Sequence, residues 1–350
     1  MATIKHIARL AGVSPTTVSN VLHGNTAKVS PAVRDRVLAI VAEENYAPNQ
    51  GAVMLVRSRS RIIGVILFME PRSGSTAIED PFVSTIIGTL ESEIRAAGYF
   101  IMLRATSDKD EVLRLAATWK LAGLVMLCVP SEISSAIVRR IGSPVVFVDC
   151  YFADDGQSYH SIRLDDEVGA YAMTNYLLSL GHRRFAFMAN AADFPSVDSA
   201  RYDGYRRAFA EAGLEAPADG LVTVPKDLDE RLAMYRRLAA EPRPYSALFF
   251  SADFYAVEAI DYLSGLGVSV PGDLSIVGFD DIWIARLSRP RLTTVHQDVV
   301  AKGKAASDML MRLIHKEPVT DSDVRLPVRL EIRESAAESA GGPVSLPRER

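Results

Sequence analysis

The stretch Ile4-Lys-His-Ile-Ala-Arg-Leu-Ala-Gly-Val-Ser-Pro-Thr-Thr-Val-Ser-Asn-Val-Leu-His-Gly24 holds two short helical patterns joined by a glycine turn. Thr3 is placed to cap a first helix from Ile4 to Leu10, with Ile4, Ile7, Ala8 and Ala11 at helical spacing. Gly12 breaks that helix. Pro15 follows Ser14 at the position where a first helical residue belongs, so a second helix runs to about Leu22. It buries Val18, Val21 and Leu22 and turns Pro15, Thr16, Ser19, Asn20 and His23 outward. A second Ser-Pro pair, Ser30-Pro31, opens a third helix packed through Val33, Val37, Ile40 and Val41 and ending near Asn45. Two short helices with a glycine turn, then a third, make a helix-turn-helix. Its second helix is slim enough to enter a DNA major groove about 12 Å wide.

Charge supports a basic module on an acidic body. The 350-residue chain has a net charge of -4, which by itself speaks against nucleic acid. Residues 1–61, however, hold eight Lys and Arg against three Asp and Glu, a net +5, which leaves -9 on the remaining 289 residues. With 48% hydrophobic and 23% charged residues the chain is neither disordered nor collagen-like. Cys128 and Cys150 have no CxxC partner or metal-like spacing and read as free thiols. The N-terminus lacks an apolar signal segment, and no apolar run approaches a membrane span. A cytoplasmic protein is expected.

The 4–24 stretch, Val29-Ser-Pro-Ala-Val-Arg-Asp-Arg-Val-Leu38 and Asn45-Tyr-Ala-Pro-Asn49 together resemble the DNA-binding headpiece of the LacI/GalR family of bacterial transcription regulators. The resemblance implies a headpiece over 1–48 and a hinge over 49–61 that folds on DNA. It also implies a homodimer on a pseudopalindromic operator, with Leu55, beside Ala52, wedged into the minor groove. Gly51 departs from a good hinge helix and costs it about 1 kcal/mol against Ala. By the family match, Pro15, Thr16 and Asn20 read bases. Asn20 stands where relatives carry Arg, and asparagine suits adenine. Thr3, Ser14, Thr17, Ser19, His23 and Asn25 are candidate phosphate contacts.

From Arg61 onward β-rich runs alternate with amphipathic helices, the pattern of parallel sheets covered on both faces. The strand count suits two α/β lobes with a ligand cleft between them. Gly64-Val-Ile, Asp80-Pro-Phe82, Ser179-Leu-Gly-His-Arg-Arg184, Val277-Gly-Phe-Asp-Asp281 and Leu292-Thr-Thr-Val295 resemble the same family's periplasmic-binding-protein type I sensor. The implied sensor is 62–335, with a first lobe of 62–160 and 294–319 and a second of 161–291 and 320–335. Residues 336–350 are expected to be a disordered tail without heptads.

The resemblance also implies a small effector, a sugar or sugar derivative, and a repressor of carbohydrate-related genes. Asp80, Phe82, Arg201, Asp253, Asp280 and Trp283 are the candidate effector contacts, Phe82 and Trp283 as platforms and the charged groups for hydroxyls. No HExxH, GxSxG, Walker A or strand-linked GxGxxG is present, so an enzyme with an accessory domain is the weaker reading. A transport protein shares the body but not the headpiece. No cofactor or metal is expected.

Overall fold

The computed structural model describes residues 3–22, 29–46, 60–69, 76–152, 156–190 and 196–339. Residues 1–60 and 61–350 form two separate units.

The first unit contains α1 (Ile4–Ala11), α2 (Pro15–Leu22) and α3 (Pro31–Glu43). Thr3 Oγ1 caps α1 by accepting the His6 N–H at 3.2 Å. Gly12, at φ 61°, ends it in the left-handed region that glycine enters without strain. Ser30 caps α3 in the same way, with Pro31 in its first turn. The core is small: Ile7, Ala8, Ala11, Val18, Val21 and Val37.

The second unit begins with β1 (Ile62–Leu67), α4 (Pro81–Ala96), β2 (Phe100–Ala105), α5 (Lys109–Trp119), β3 (Gly123–Leu127), α6 (Ser131–Arg140), β4 (Val145–Val148) and β5 (Ser161–Leu164). It continues with α7 (Asp166–Ser179), β6 (Phe185–Ala189), α8 (Val197–Glu211), β7 (Leu221–Thr223), α9 (Leu228–Ala239), β8 (Ala247–Phe250), α10 (Asp253–Gly265), β9 (Ser275–Val277) and α11 (Trp283–Leu287). It closes with β10 (Thr294–Gln297), α12 (Val299–His315), β11 (Asp323–Leu326) and β12 (Val328–Glu331).

A six-stranded sheet, ordered β11-β5-β4-β3-β1-β2, carries the first lobe, and a four-stranded sheet, β7-β6-β8-β9, the second. Neighbours pair in parallel throughout both. Strands β3 and β4 are buried along their whole length, as expected of continuous apolar runs covered on both faces. Helices α4 and α12 cover one face of the first sheet, and residues of α5 and α6 pack on the other.

Three boundaries differ from those expected from sequence. Residues 161–164 and 323–326, expected in the second lobe, complete the first sheet: Phe147 pairs with Ser161, and Ser161 with Asp323. The hydrogen-bond ladder holds them there, so these crossovers come after Leu164 and Leu326. Residues 294–297, expected in the first lobe, pair antiparallel with β12, and His296 bridges to Asp280 beside the second sheet, as the preceding Thr293 does to Val277. The start of the expected tail is also bound. His182 and Ser275 hold Ala337, and Ser339 N–H donates to the Leu180 carbonyl. Residues 340–350 lie outside the described ones.

Candidate functional site

On α2 the cap orders the face that sequence reasoning selected. Ser14 Oγ accepts the Thr17 N–H at 3.1 Å and lies 2.9 Å from the Thr17 hydroxyl. Val18 and Val21 point into the core, Pro15 and Thr16 are exposed, and Ser19 and Asn20 are half-buried. His6, which sequence reading did not single out, links α1 to the end of α3: its Nε2 is 3.2 Å from Glu44 Oε2. His23, Asn25, Ala52 and Leu55 lie outside the described residues, as do residues 49–59 of the expected 49–61 hinge.

In the second unit a cavity of about 180 Å³ opens at the carboxyl ends of strands from both sheets, where open parallel sheets bind ligands. Asp80 caps α4, its Oδ1 accepting the Phe82 N–H at 2.9 Å, which sets Phe82 on the wall. Arg201 is buried in α8. Its Nε donates to Asp166 Oδ1 at 2.7 Å, its Nη1 donates to the Ser251 carbonyl, and its guanidinium lies 3.6 Å from the Phe279 ring centroid.

Asp280 sits at φ 127° and Asp281 at φ 55°, a backbone conformation rare for non-glycine residues. This turn, just beyond β9, aims Asp280 at the cavity. Asp280 Oδ1 accepts from Gln297 Nε2 at 2.6 Å and lies 3.6 Å from Arg201 Nη1. Burial pushes its carboxyl up to about 7, against the pull of Arg201. Asp149, at φ 54° just after β4, joins the wall. The fully buried Lys302 holds it, donating to both carboxylate oxygens at 2.8 Å and to Gln297 Oε1 at 2.6 Å. Burial still raises the Asp149 carboxyl, with Lys302 opposing. Cys128, also on the wall, has its thiol pushed up to about 12 by burial.

A groove helix and a cavity shared by two lobes are the two halves of a ligand-responsive DNA-binding protein. Residues 3–49 match the bacterial regulatory proteins of the lacI family, and residues 174–336 the periplasmic binding protein-like domain. The HTH-type transcriptional repressor PurR of Vibrio campbellii is 31% identical over 344 residues, spanning 95% of this chain and 99% of the relative. The chain belongs to the LacI family. It is a helix-turn-helix, DNA-binding transcriptional repressor with an effector-binding domain. The ribose operon repressor of Haemophilus influenzae is 30% identical over 318 residues, 90% of this chain and 92% of the relative. In fold, the lac repressor dimer bound to operator and the anti-inducer ONPF superposes with a TM-score of 0.81 at 24% identity, covering 96% of this chain and 99% of that one.

In this LacI-family chain Asp80, Phe82, Arg201 and Asp280 meet at one cavity. Asp253 and Trp283 do not join them. Asp253 is fully buried beneath the crossover. Its oxygens accept from Thr294 Oγ1 at 2.5 Å and the Ile282 N–H at 3.1 Å, which pins β10 to α10. Its neighbour Ala252 takes the wall position instead. Trp283 is 58% exposed, because α11 turns Ala285 inward and leaves Trp283 outside. Sequence reading missed Asp149, Asp198, Asn190, Tyr255 and Gln297 on the wall, and Lys302 behind it. Asp149, Asn190 and Gln297 follow or border strand ends. Lys302 had a signal: it is charged on the apolar stripe Val299, Ala306, Met309 and Leu310.

Proposed function

We propose that the chain binds a pseudopalindromic operator as a cytoplasmic homodimer, placing α2 of each copy in successive major grooves. Pro15, Thr16 and Asn20 read base edges; Thr3, Ser14, Thr17 and Ser19 set register on phosphates, with the caps already orienting the hydroxyls of Thr3, Ser14 and Thr17. His23 and Asn25 add phosphate contacts, and Ala52 and Leu55 form the minor-groove wedge. A small polyhydroxylated effector binds in the cavity and changes the angle between the lobes, and with it the operator affinity of the dimer. The regulated genes serve the uptake or use of that molecule, of carbohydrate type.

One observation carries the effector half of this reading. Asp80, Phe82 and Asp149 reach the cavity from the first lobe, Asp198 and Arg201 from the second, and Asp280 and Gln297 from the crossover between them. A ligand touching all three feels the lobe angle, which is what gives it differential affinity for two states. Coupling of about 1–3 kcal/mol yields roughly 5–150-fold in operator affinity. The test is DNA binding by the full chain with and without a cavity ligand: a ligand that protects the fold yet leaves operator affinity unchanged contradicts the reading.

A further inference from the structure

Helix α2 carries no charge, and neither does the sequence on either side of it. From Leu10 to Ala27 there is no Lys, Arg, Asp or Glu. Cations of the first unit flank this stretch: Lys5 and Arg9 before it, Lys28, Arg34 and Arg36 after it. Val18 and Val21 pack into the core with Ile7, Ala11 and Val37. Thr16 and Asn20, one helical turn apart, therefore face away from that core, and Pro15 is exposed in the first turn. Ser14 and Thr17 are tied to each other in the cap. What the helix turns outward at the three base-reading positions is an amide, a threonine methyl with its hydroxyl, and a proline ring.

Base pairs differ in what such a face can meet. Guanine shows the major groove two acceptors, N7 and O6, which suit the paired donors of Arg or Lys. The Asn20 amide brings one donor and one acceptor, so against guanine its oxygen opposes a lone pair and both are left unpaired as water leaves. Adenine shows one acceptor, N7, and one donor, the N6 amine, and satisfies both ends of the same amide. The Thr16 methyl and the Pro15 ring are apolar. Their match in the major groove is the thymine C5-methyl, which only A·T pairs carry. All three side chains favour the same base pair.

We infer that α2 reads A·T pairs, with Asn20 on an adenine edge and Thr16 and Pro15 against thymine methyls, while the attraction to phosphate comes from cations outside the helix. This rests on α2 being the helix that enters the groove, and it names what the helix reads there. Base choice and electrostatic affinity then belong to separate residues. A change at Thr16 or Pro15 alters affinity for one sequence and leaves the salt dependence alone, because no cation leaves a phosphate.

The experiment selects sites for the full chain from duplexes with a randomised centre. The pairs under α2 are those at which Asn20→Ala and Thr16→Ser relax the selection, and they should be A·T. Each thymine of the selected site is then replaced by deoxyuridine, which removes only the methyl. In anisotropy titrations at least one such replacement in each half-site should weaken binding about fourfold, with the slope of log affinity against log salt unchanged. Thr16→Ser keeps the hydroxyl and loses the methyl, and Pro15→Ser loses the ring; both sites are exposed, so the fold is kept. At least one of the two variants should bind the thymine and deoxyuridine duplexes equally. Guanine or cytosine enriched under α2, full affinity with deoxyuridine at every position, or a methyl preference that both variants retain overturns the inference while the operator reading stands. A pool that yields no enriched site overturns both.

Discussion

Lys302 Nζ lies 2.8 Å from both carboxylate oxygens of Asp149, with Lys302 fully buried and Asp149 nearly so. The pair closes a buried run of polar contacts from Asp149 through Lys302, Gln297, Asp280 and Arg201 to Asp166, whose Oδ2 accepts the Tyr151 hydroxyl at 2.7 Å. The run passes from the first lobe into the second and back along the cavity floor.

Removing one charge of such a pair strands the other. Lys302→Met should cost about 3–5 kcal/mol, because Asp149 is then an uncompensated buried carboxylate. Adding Asn at position 149 (Lys302→Met with Asp149→Asn) should recover part of that loss, since asparagine tolerates the left-handed φ. Urea midpoints of the wild type and both variants check this. A single variant as stable as the wild type would show the pair contributes nothing.

Asp280 makes stability depend on pH in a definite sense. Its folded-state carboxyl is held near 7, above the unfolded value near 3.8, so the folded chain binds a proton that the unfolded chain has released. The contribution is full below about 4, falls as pH rises from about 4 to 7, and is flat above 7. Asp280→Asn removes this dependence. Its stability relative to wild type should therefore improve by up to about 1.4 kcal/mol per pH unit across that window. Denaturation curves at pH 5, 6, 7 and 8 measure it, and a constant difference would refute the assignment.

Helices α7 and α8 touch through Gly204. A Cβ there would sit 2.1 Å from the Glu167 carbonyl oxygen and 2.9 Å from the Tyr171 nitrogen, both backbone atoms. Gly204→Ala should force the helices apart and destabilise by about 1–3 kcal/mol or more, despite alanine's better helix propensity. Thermal unfolding decides it; an unchanged or raised midpoint would contradict the packing.

On the DNA side, Asn20→Arg should change the preferred base at one half-site position from adenine toward guanine. Selection from a randomised operator reads this directly. Identical preferences for wild type and variant would place Asn20 on backbone or water.

Much of this was legible in the sequence because it follows local rules. Ser14-Pro15, Ser30-Pro31 and Gly12 mark helix ends that need only neighbouring residues, and the structure puts α1 to α3 there. The alternation of apolar strands with helices gave the parallel sheets. What sequence missed depends on long-range pairing. Ser161–Leu164 joins the first sheet because Asp323–Leu326, some 160 residues later, pairs with it. Asp253 has the composition of a ligand contact, yet Thr294 and the Ile282 backbone, distant in sequence, claim both its oxygens. Asp149 and Lys302 stand 153 residues apart, and only the fold brings them together.

The central claim is that one chain couples a cavity ligand to operator binding. Fluorescence anisotropy of the full chain on DNA from upstream of its own gene, at 50 and 200 mM salt, tests it most directly. The partner in the titration is whichever sugar, sugar acid or nucleobase gives the largest thermal shift with the full chain. The predicted result is a saturable site whose affinity falls about 10³-fold or more over that salt range and changes roughly 5–150-fold when the compound is added. Salt-insensitive binding, or a site whose affinity is the same with and without the compound, would contradict it.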